Sequence, residues 1–466
     1  MMKKLWKGMS VCLAMILLLA SCAQQEPQQS TTAVDSTTIA SEVFSKSETE
    51  ITTTETPVAE ATFLNVVTNG STSFKVVHSG DAREEVSVAA ILLRKAINDA
   101  TGANVGIISD LSKRESDGSM EIIVGVTNRG ISQEFKSSLG EYSFGIKVTE
   151  KGIVIAASHE DFVPLAVDYF LEHYLENSDL VQISDGNYAI SSAASIICQG
   201  KLADMNNIHL DTNYATISEL VAHVPKSGNF KAMQGGCVTE DYAYIAVINT
   251  TDYDTKDSGC YIYKYSTDNW KLVKRSGVLM LAHANDITYD PKTNRLYVAH
   301  CYVDSTKISI IDADTLKLVG SIHTDAGVYA LDYHAESNTF VGGQGKSGTI
   351  FFKYNPQGTK LLTYGRISPT PTQMITQGIC RDDQYVYHVM FSNSSIEPYN
   401  TIIIYDLEGK KLAHNVRLSI SGQEPENISL VNGAFYIGCN SSSSTQLDIY
   451  KSVLYEFDFS ACTPCP

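Results

Sequence analysis

The most constraining feature of the sequence is a strand–turn–strand pattern that recurs five times in its C-terminal half. One copy spans residues 283–299, where polar residues are followed by a turn at Asp290 and Pro291 and then by an alternating apolar strand. The five copies begin at residues 234, 283, 327, 377 and 424, which are 44 to 50 residues apart. A period of this length that contains only short strands indicates a radial repetition of small sheets.

These repeats predict an all-β five-bladed propeller over residues 231–460. A strand at 216–224, inside a connector at 196–230, is similar to the outer strands of the later repeats. We expect this early strand to complete the last blade and close the ring, because closure removes exposed strand edges. A ring with a sixth blade hidden in the connector is the alternative. The repeats resemble those of secreted five-bladed propellers of the YVTN and helveticin types.

Residues 61–195 carry a different pattern, in which helical periods at 84–100 and 161–176 flank several short strands. The order β-α-β-β-β-β-α predicts an α+β domain with its helices on one face of the sheet. The segments EIIVGVTNRG, YSFGIKVTEKGIVIAAS and AVDYFLEHYL resemble the accessory domain (hexosaminidase domain 2-like) that precedes the barrel of family 20 and 67 glycoside hydrolases. The resemblance covers residues 62–180 and implies a link to glycans. It assigns no catalytic residue, because those belong to the barrel.

The N-terminus has the pattern of an export signal. Three lysines precede a short apolar run at 11–20, which ends in Leu19, Ala20, Ser21 and Cys22. This ending resembles the bacterial lipobox, which implies removal of residues 1–21, acylation of Cys22 with a lipid such as palmitate, and anchoring outside the cytoplasm. An ordinary secretory signal is the alternative. Residues 22–60 are rich in Ser, Thr and Glu and predict a disordered tether.

Charge and cysteine content limit the partners. The net charge of −17 disfavours nucleic acid, since phosphate polymers are repelled. Eight cysteines follow Cys22 and permit disulfides outside the cytoplasm. Cys462 and Cys465 form a CxxC in the tail at 461–466, for which a disulfide or two thiols are favoured over zinc. No sequence pattern indicates a metal site or a cofactor.

Polar residues at one phase of the repeat are the candidate ligand-binding group, because inner strands of a propeller line its channel. They are Gln234, His283, Asn285, Asp286, Tyr329, Gln377, Glu424, Glu426 and Asn427. Amides, carboxylates and nearby tyrosines suit a sugar, so we expect non-catalytic binding of an extracellular glycan or surface polymer. Asp286 and Glu426 are the candidate catalytic pair of the alternative, a glycoside hydrolase or lyase. A protein-interaction scaffold is the third possibility, and polar groups that only hold channel water are the simplest explanation.

Overall fold

The structure is a computed structural model that describes residues 62–465, except 113–118, 211, 252–254, 256–257, 345–349, 367–373, 393–398, 409–410 and 421. The predicted signal peptide, lipidation site at Cys22 and tether lie outside the described residues. Glu60–Pro466 form one compact unit, which is mostly β and contains several sheets. Among the described helices, none is both long enough and apolar enough to span a bilayer.

The first part of this unit alternates strands and helices. Its elements are β1 (Phe63–Val67), β2 (Lys75–His78), α1 (Glu84–Thr101), β3 (Gly106–Ser109), β4 (Glu121–Val124), α2 (Gly130–Ser138), β5 (Ser143–Val148), β6 (Ile153–Ala157), α3 (Val163–Tyr174), β7 (Val181–Ser184), β8 (Asn187–Ser191) and β9 (Ile196–Leu202). The main sheet has the order β3-β2-β4-β6-β5-β9, and β1, β8 and β7 form a small second sheet.

Helices cover both faces of this main sheet. α1 and α3 pack on the face that carries Ile122, Val124 and Ile155, in the largest apolar core of the protein. Phe135 of α2 instead packs with Ile123, which points to the opposite face because side chains alternate along a strand. The prediction of helices on one face only was therefore wrong. α2 was missed, since few of its residues are apolar and they give no clear helical period.

The remainder of the chain is built from strands. They are β10 (Asn213–Pro225), β11 (Phe230–Val238), β12 (Tyr242–Asn249), β13 (Gly259–Ser266), β14 (Leu272–Arg275), β15 (Leu279–Met280), β16 (Asp286–Asp290), β17 (Arg295–Ala299), β18 (Lys307–Asp312), β19 (Lys317–His323), β20 (Ala330–His334), β21 (Thr339–Gln344), β22 (Ile350–Tyr354), β23 (Lys360–Arg366), β24 (Met374–Arg381), β25 (Tyr385–Ser392), β26 (Thr401–Asp406), β27 (Lys411–Arg417), β28 (Glu424–Val431), β29 (Ala434–Asn440), β30 (Gln446–Phe457) and β31 (Thr463–Pro464).

These strands form five antiparallel groups of four, which we call sheets one to five. Sheets one to four are β11–β14, β16–β19, β20–β23 and β24–β27. Sheet five has the order β28-β29-β30-β10, so its fourth strand comes from early in the chain. β10 pairs with β30 from Asn213 to Pro225, which is the pairing that the sequence predicted for the early strand.

The first strands of neighbouring sheets are joined by hydrogen bonds in cyclic order. Five such bonds connect sheets one–two, two–three, three–four, four–five and five–one in turn: Gly235 N to Ala284 O (2.8 Å), Asn285 Nδ2 to Tyr329 O (2.7 Å), Arg381 N to Asp332 Oδ2 (3.0 Å), Gln377 Nε2 to Glu424 Oε1 (3.2 Å) and Asn427 Nδ2 to Gln234 O (2.7 Å). The five first strands therefore lie around a common axis.

The last strands connect sheet five to the α/β part of the unit. β30 extends beyond β29 and pairs there with β9 from Tyr455 to Phe457. Phe457 packs against Phe144 and Phe162 in the core of the first part. Cys462 forms a disulfide with Cys198 of β9. The sequence left a disulfide within the terminal CxxC and two thiols as alternatives, and neither describes Cys462, because β31 lies against β9 and brings Cys462 to Cys198.

Candidate functional site

A cavity of about 700 Å³ lies where the first strands of the five sheets begin. All five sheets contribute to its wall. The lining residues are Ala232, Gln234, Ile248, Thr250, His283, Asn285, Cys301, Tyr302, Tyr329, Ile375, Thr376, Gln377, Glu424, Glu426 and Asn440. Seven of the nine candidate residues are in this set, and Asp286 and Asn427 are outside it. The repeat phase of the sequence thus brings most of its polar residues to one place.

Backbone irregularities turn three of these side chains into the cavity. The strand pairing shifts register at Gln234 of β11, at Gln377 of β24 and at Glu426 of β28. Such bulges insert an extra residue, bend the strand and redirect a side chain. All three side chains line the cavity, so the bulges place one polar group each from sheets one, four and five at the same rim.

The glycine that follows each glutamine permits the close approach of the next sheet. A Cβ atom at Gly235 would lie 2.6 Å from the carbonyl oxygen of Ala284, and one at Gly378 would lie 2.7 Å from the Cα of Asn427. Both distances are shorter than any side chain tolerates against a backbone. The repeated Gln-Gly pair therefore has two functions: the glutamine faces the cavity, and the glycine accommodates the neighbouring first strand.

A carboxyl pair dominates the polar wall. Glu424 and Glu426 are hydrogen-bonded to each other, Asn440 donates to Glu426, and Gln377 donates to Glu424. Burial raises the pKa of Glu426 well above its usual value, and the neighbouring Glu424 raises it further. Contact with a second carboxyl group disfavours negative charge on Glu426 and so adds to the effect of its burial.

Three rings form the aromatic wall. The rings of His283 and Tyr302 are 5.6 Å apart at 87°, and those of Tyr302 and Tyr329 are 5.7 Å apart at 88°. Each ring is thus perpendicular to the next, and all three line the cavity. Tyr302 is 44% exposed, which is high for such a large apolar side chain. These rings belong to sheets two and three, the two sheets that are not neighbours of sheet five.

Asn285 and Asp286 are consecutive but have different environments. Asn285 lines the cavity, whereas Asp286 is fully buried and its Oδ2 accepts hydrogen bonds from the backbone N–H groups of Leu331 (2.9 Å) and Ile379 (3.2 Å). Burial raises the pKa of Asp286 well above its usual value despite these donors. The structure therefore gives Asp286 a position that ties three first strands together, away from the cavity wall.

Eight lining residues were not among the candidates that sequence reasoning selected, and Tyr302 and Asn440 are the two of them whose contacts are described above. Tyr302 follows β17 and Asn440 ends β29, so both come from the second strand of a sheet. In an antiparallel pair the end of the second strand lies beside the start of the first, as the pairing of Asn440 with Glu424 shows. A search at the ends of the second strands would have found both.

The described residues contain no group of three His, Cys, Asp or Glu side chains that is suited to a metal ion. Within the described part of the chain, the cavity lining includes no lysine or arginine. Its charge-bearing groups are the two carboxyls of sheet five and the imidazole of His283. Hydrogen-bond donors and acceptors are thus supplied mainly by uncharged amides, which suits a polar ligand with several hydroxyl groups.

No protein-family model and no curated protein sequence matches the chain. Among solved structures, it is similar to glutaminyl cyclase from Myxococcus xanthus, at 11% identity and a TM-score of 0.36, over 52% of this chain and 99% of that one. It is also similar to hydrazine synthase from Kuenenia stuttgartiensis, at 15% identity and a TM-score of 0.30, over 44% of this chain and 61% of that one. The β-propeller domain of Cps50 (Swd1) from Myceliophteria thermophila matches at 10% identity and a TM-score of 0.27, over 47% of this chain and 65% of that one. Similarities this distant carry no conclusion about activity.

Proposed function

We propose that the five sheets are the blades of a five-bladed β-propeller, closed by β10, and that the mouth of its channel binds an extracellular glycan without breaking it down. The observation that carries this proposal is the cavity of about 700 Å³ to which all five sheets contribute. The cyclic hydrogen bonds between first strands support the closed ring. The volume is in the range of small-molecule sites and accommodates one or more sugar units.

The composition of the cavity wall favours a sugar over an apolar ligand. Amide and carboxyl groups of Gln234, Gln377, Glu424 and Asn440 offer directional hydrogen bonds from sheets one, four and five. Tyr302 and its neighbouring rings offer apolar faces from sheets two and three. A sugar ring has hydroxyl groups at its edge and C–H groups on its faces, so it needs both kinds of contact at once.

The placement of the acids favours binding over hydrolysis. Glycosidases hold two carboxyl groups about 5 Å or more apart on either side of the scissile bond. Glu424 and Glu426 are in direct hydrogen-bond contact on one strand, which leaves no room for a sugar between them. Asp286, the other candidate, directs its oxygens to backbone N–H groups. We therefore assign no catalytic residue.

A position on the outer surface of a bacterial cell completes the proposal. The lipobox-like sequence at Cys22 and the Ser- and Thr-rich segment that follows suggest a lipid anchor with a flexible tether. The disulfide between Cys198 and Cys462 is consistent with an oxidising compartment outside the cytoplasm. The partner would then be a cell-wall or environmental polysaccharide within reach of the membrane.

The proposal is tested by incubating the full-length protein with a panel of cell-wall and plant polysaccharides. Binding and the release of reducing ends are measured in the same samples. We expect saturable binding without release. Replacing Gln377 by Ala should weaken binding at least about tenfold, since a buried hydrogen-bonding group of the site is lost. Gln384→Ala is the matched control, because Gln384 is exposed in the turn after the same strand, and it should bind as the wild type does.

Other outcomes would identify the alternatives. Release of reducing ends that is abolished by Glu426→Gln would establish a glycoside hydrolase, and unsaturated ends would establish a lyase. Retention of a partner protein with no binding to any polysaccharide would leave the five sheets as an interaction scaffold. Either result would replace the glycan-binding proposal.

A further inference from the structure

One wall of the cavity is acidic and the other is aromatic, and both kinds of wall favour a positively charged ligand. One wall holds Glu424 and Glu426, whose hydrogen-bond partners are the neutral amides of Gln234, Gln377 and Asn440. Among the described residues, no lysine or arginine lines the cavity. Glu426 is buried and Glu424 is half-buried, and a carboxylate in such a position is stabilised by a nearby positive charge. The described lining offers no lysine or arginine for this purpose, so a cationic group of the ligand can supply the charge.

The aromatic wall offers ring faces to a cation. Tyr302 packs edge-to-face with His283 and with Tyr329, with centroids 5.6 and 5.7 Å away. All three rings line the cavity, and Tyr302 is 44% exposed. A protonated amine that lies over an aromatic face is attracted by the ring quadrupole.

The two features lie across the cavity from each other. Tyr302 and Tyr329 come from sheets two and three, and the glutamates come from sheet five, which borders sheets one and four. A ligand that spans the cavity therefore contacts both walls. An ammonium group can lie against the rings while it is attracted by the acidic pair, or can pair directly with the carboxyls while the sugar ring lies on Tyr302.

We propose that the ligand of this cavity carries a protonated amine, so that among glycans it selects amino sugars with a free amine over their N-acetylated and neutral counterparts. This inference rests on the proposed glycan-binding function and specifies its substrate class. An acetyl group would remove the positive charge and leave the acidic pair without a counter-charge. A neutral sugar would form hydrogen bonds with the amides, but it would lack the attraction between a positive charge and the aromatic rings.

The test compares two probes of equal length, a short glucosamine oligosaccharide and the same oligosaccharide fully N-acetylated. Binding to the full-length protein is measured by calorimetry at about pH 7. We expect the free-amine form to bind at least about tenfold more tightly. Tyr302→Phe should keep this preference, since phenylalanine retains the ring, whereas Tyr302→Leu should lose it. Glu424→Gln should weaken binding of the free-amine form much more than that of the acetylated form, so the preference should shrink.

A charge control is required because the whole protein is acidic, with a net charge of −17. Glu240→Gln makes the same charge change at an exposed position in the turn between β11 and β12. It should leave both affinities unchanged. If Glu240→Gln weakens free-amine binding as much as Glu424→Gln does, the preference is a general electrostatic effect and the inference is wrong.

The remaining outcomes separate this inference from the function on which it rests. Equal or tighter binding of the acetylated form overturns the amine preference and leaves glycan binding in place. Binding of neutral polysaccharides with no binding of either probe has the same meaning. If no glycan of any kind binds, the proposed function and the amine inference both fail.

Discussion

The carboxyl group of Asp286 accepts a hydrogen bond from the backbone N–H of Ile379, which lies 93 residues further along the chain. The same oxygen accepts the N–H of Leu331, so one side chain connects the first strands of sheets two, three and four. Asp332 repeats this arrangement, since its Oδ2 accepts the N–H of Arg381. Neighbouring first strands have no backbone ladder between them. The carboxyl groups of Asp286 and Asp332 connect them instead, by accepting backbone N–H groups.

Removal of the Asp286 carboxyl should destabilise the protein. Asp286→Ala removes the acceptor of the N–H groups of Ile287, Leu331 and Ile379, which costs about 2–5 kcal/mol of unfolding free energy. Asp286→Asn keeps one oxygen and should cost about half as much. Urea denaturation measures both. Asp268→Ala, at an exposed position, is the control and should change stability by less than about 0.5 kcal/mol. A loss that small for Asp286→Ala would show that the connection is dispensable.

The pH dependence of stability should contain a contribution from Asp332. Burial raises the pKa of this carboxyl to about 6 in the folded protein, whereas an aspartate in an unfolded chain titrates near pH ~3.9. Between these values the folded state binds more protons, so the unfolding free energy decreases as the pH rises from about 4 through about 6. Asp332→Asn should lack this decrease relative to the wild type. Denaturation at a series of pH values measures the difference, and parallel curves would contradict the assignment.

The disulfide between Cys198 and Cys462 should contribute strongly to stability. It closes a loop across 264 residues, which restricts the unfolded chain, and bonds of this kind contribute about 2–5 kcal/mol. Cys462→Ala should lose this amount, and addition of a reductant to the wild type should reproduce the loss. Cys465→Ala is the control because Cys465 is outside the disulfide. If the reductant also destabilises the Cys462→Ala variant, another bond is involved.

The ion pair of Arg129 with Glu121 is fully buried in the α/β part of the unit. Both guanidinium–carboxylate distances are 3.0 Å, and neither residue is more than 4% exposed. Glu121→Ala leaves a buried charge without its partner and should cost about 3–5 kcal/mol. The exposed pair of Lys95 and Asp99 is the comparison, where Asp99→Ala should cost less than about 1 kcal/mol. Thermal or urea denaturation of the two variants distinguishes buried from exposed pairing, and equal losses would refute this distinction.

Much of the strand architecture is predictable because it depends on local patterns. The repeat of 44 to 50 residues and the alternation of apolar residues within it identify the strand pairs of all five sheets. α2 was not predictable in the same way. Only Ile131 and Phe135 of this helix are apolar, and its contact with Ile123 depends on the second face of a sheet whose strand order is not visible in the sequence.

The sequence predicted which positions of the repeat contribute to the candidate site. It did not predict which side chains contact one another there. The pattern identified Gln234, Gln377 and Glu426 correctly as lining residues of one cavity. It gave no means to tell which of Asn285 and Asp286 faces the cavity, because alternation places consecutive residues on opposite sides without indicating which side is the cavity. Asn440 and Tyr302 reach the cavity through pairing between strands, which becomes apparent only in three dimensions.

The pairing of β10 with β30 has a consequence for how the protein is made. A ribosome produces β10 more than 200 residues before it produces β30, and β30 also pairs with β9 of the first part. During this interval the long edges of β9 and β10 have no partner, and unpaired edges are sites of aggregation. We therefore expect the nascent chain to be most prone to aggregation through these two edges until β30 has been synthesised.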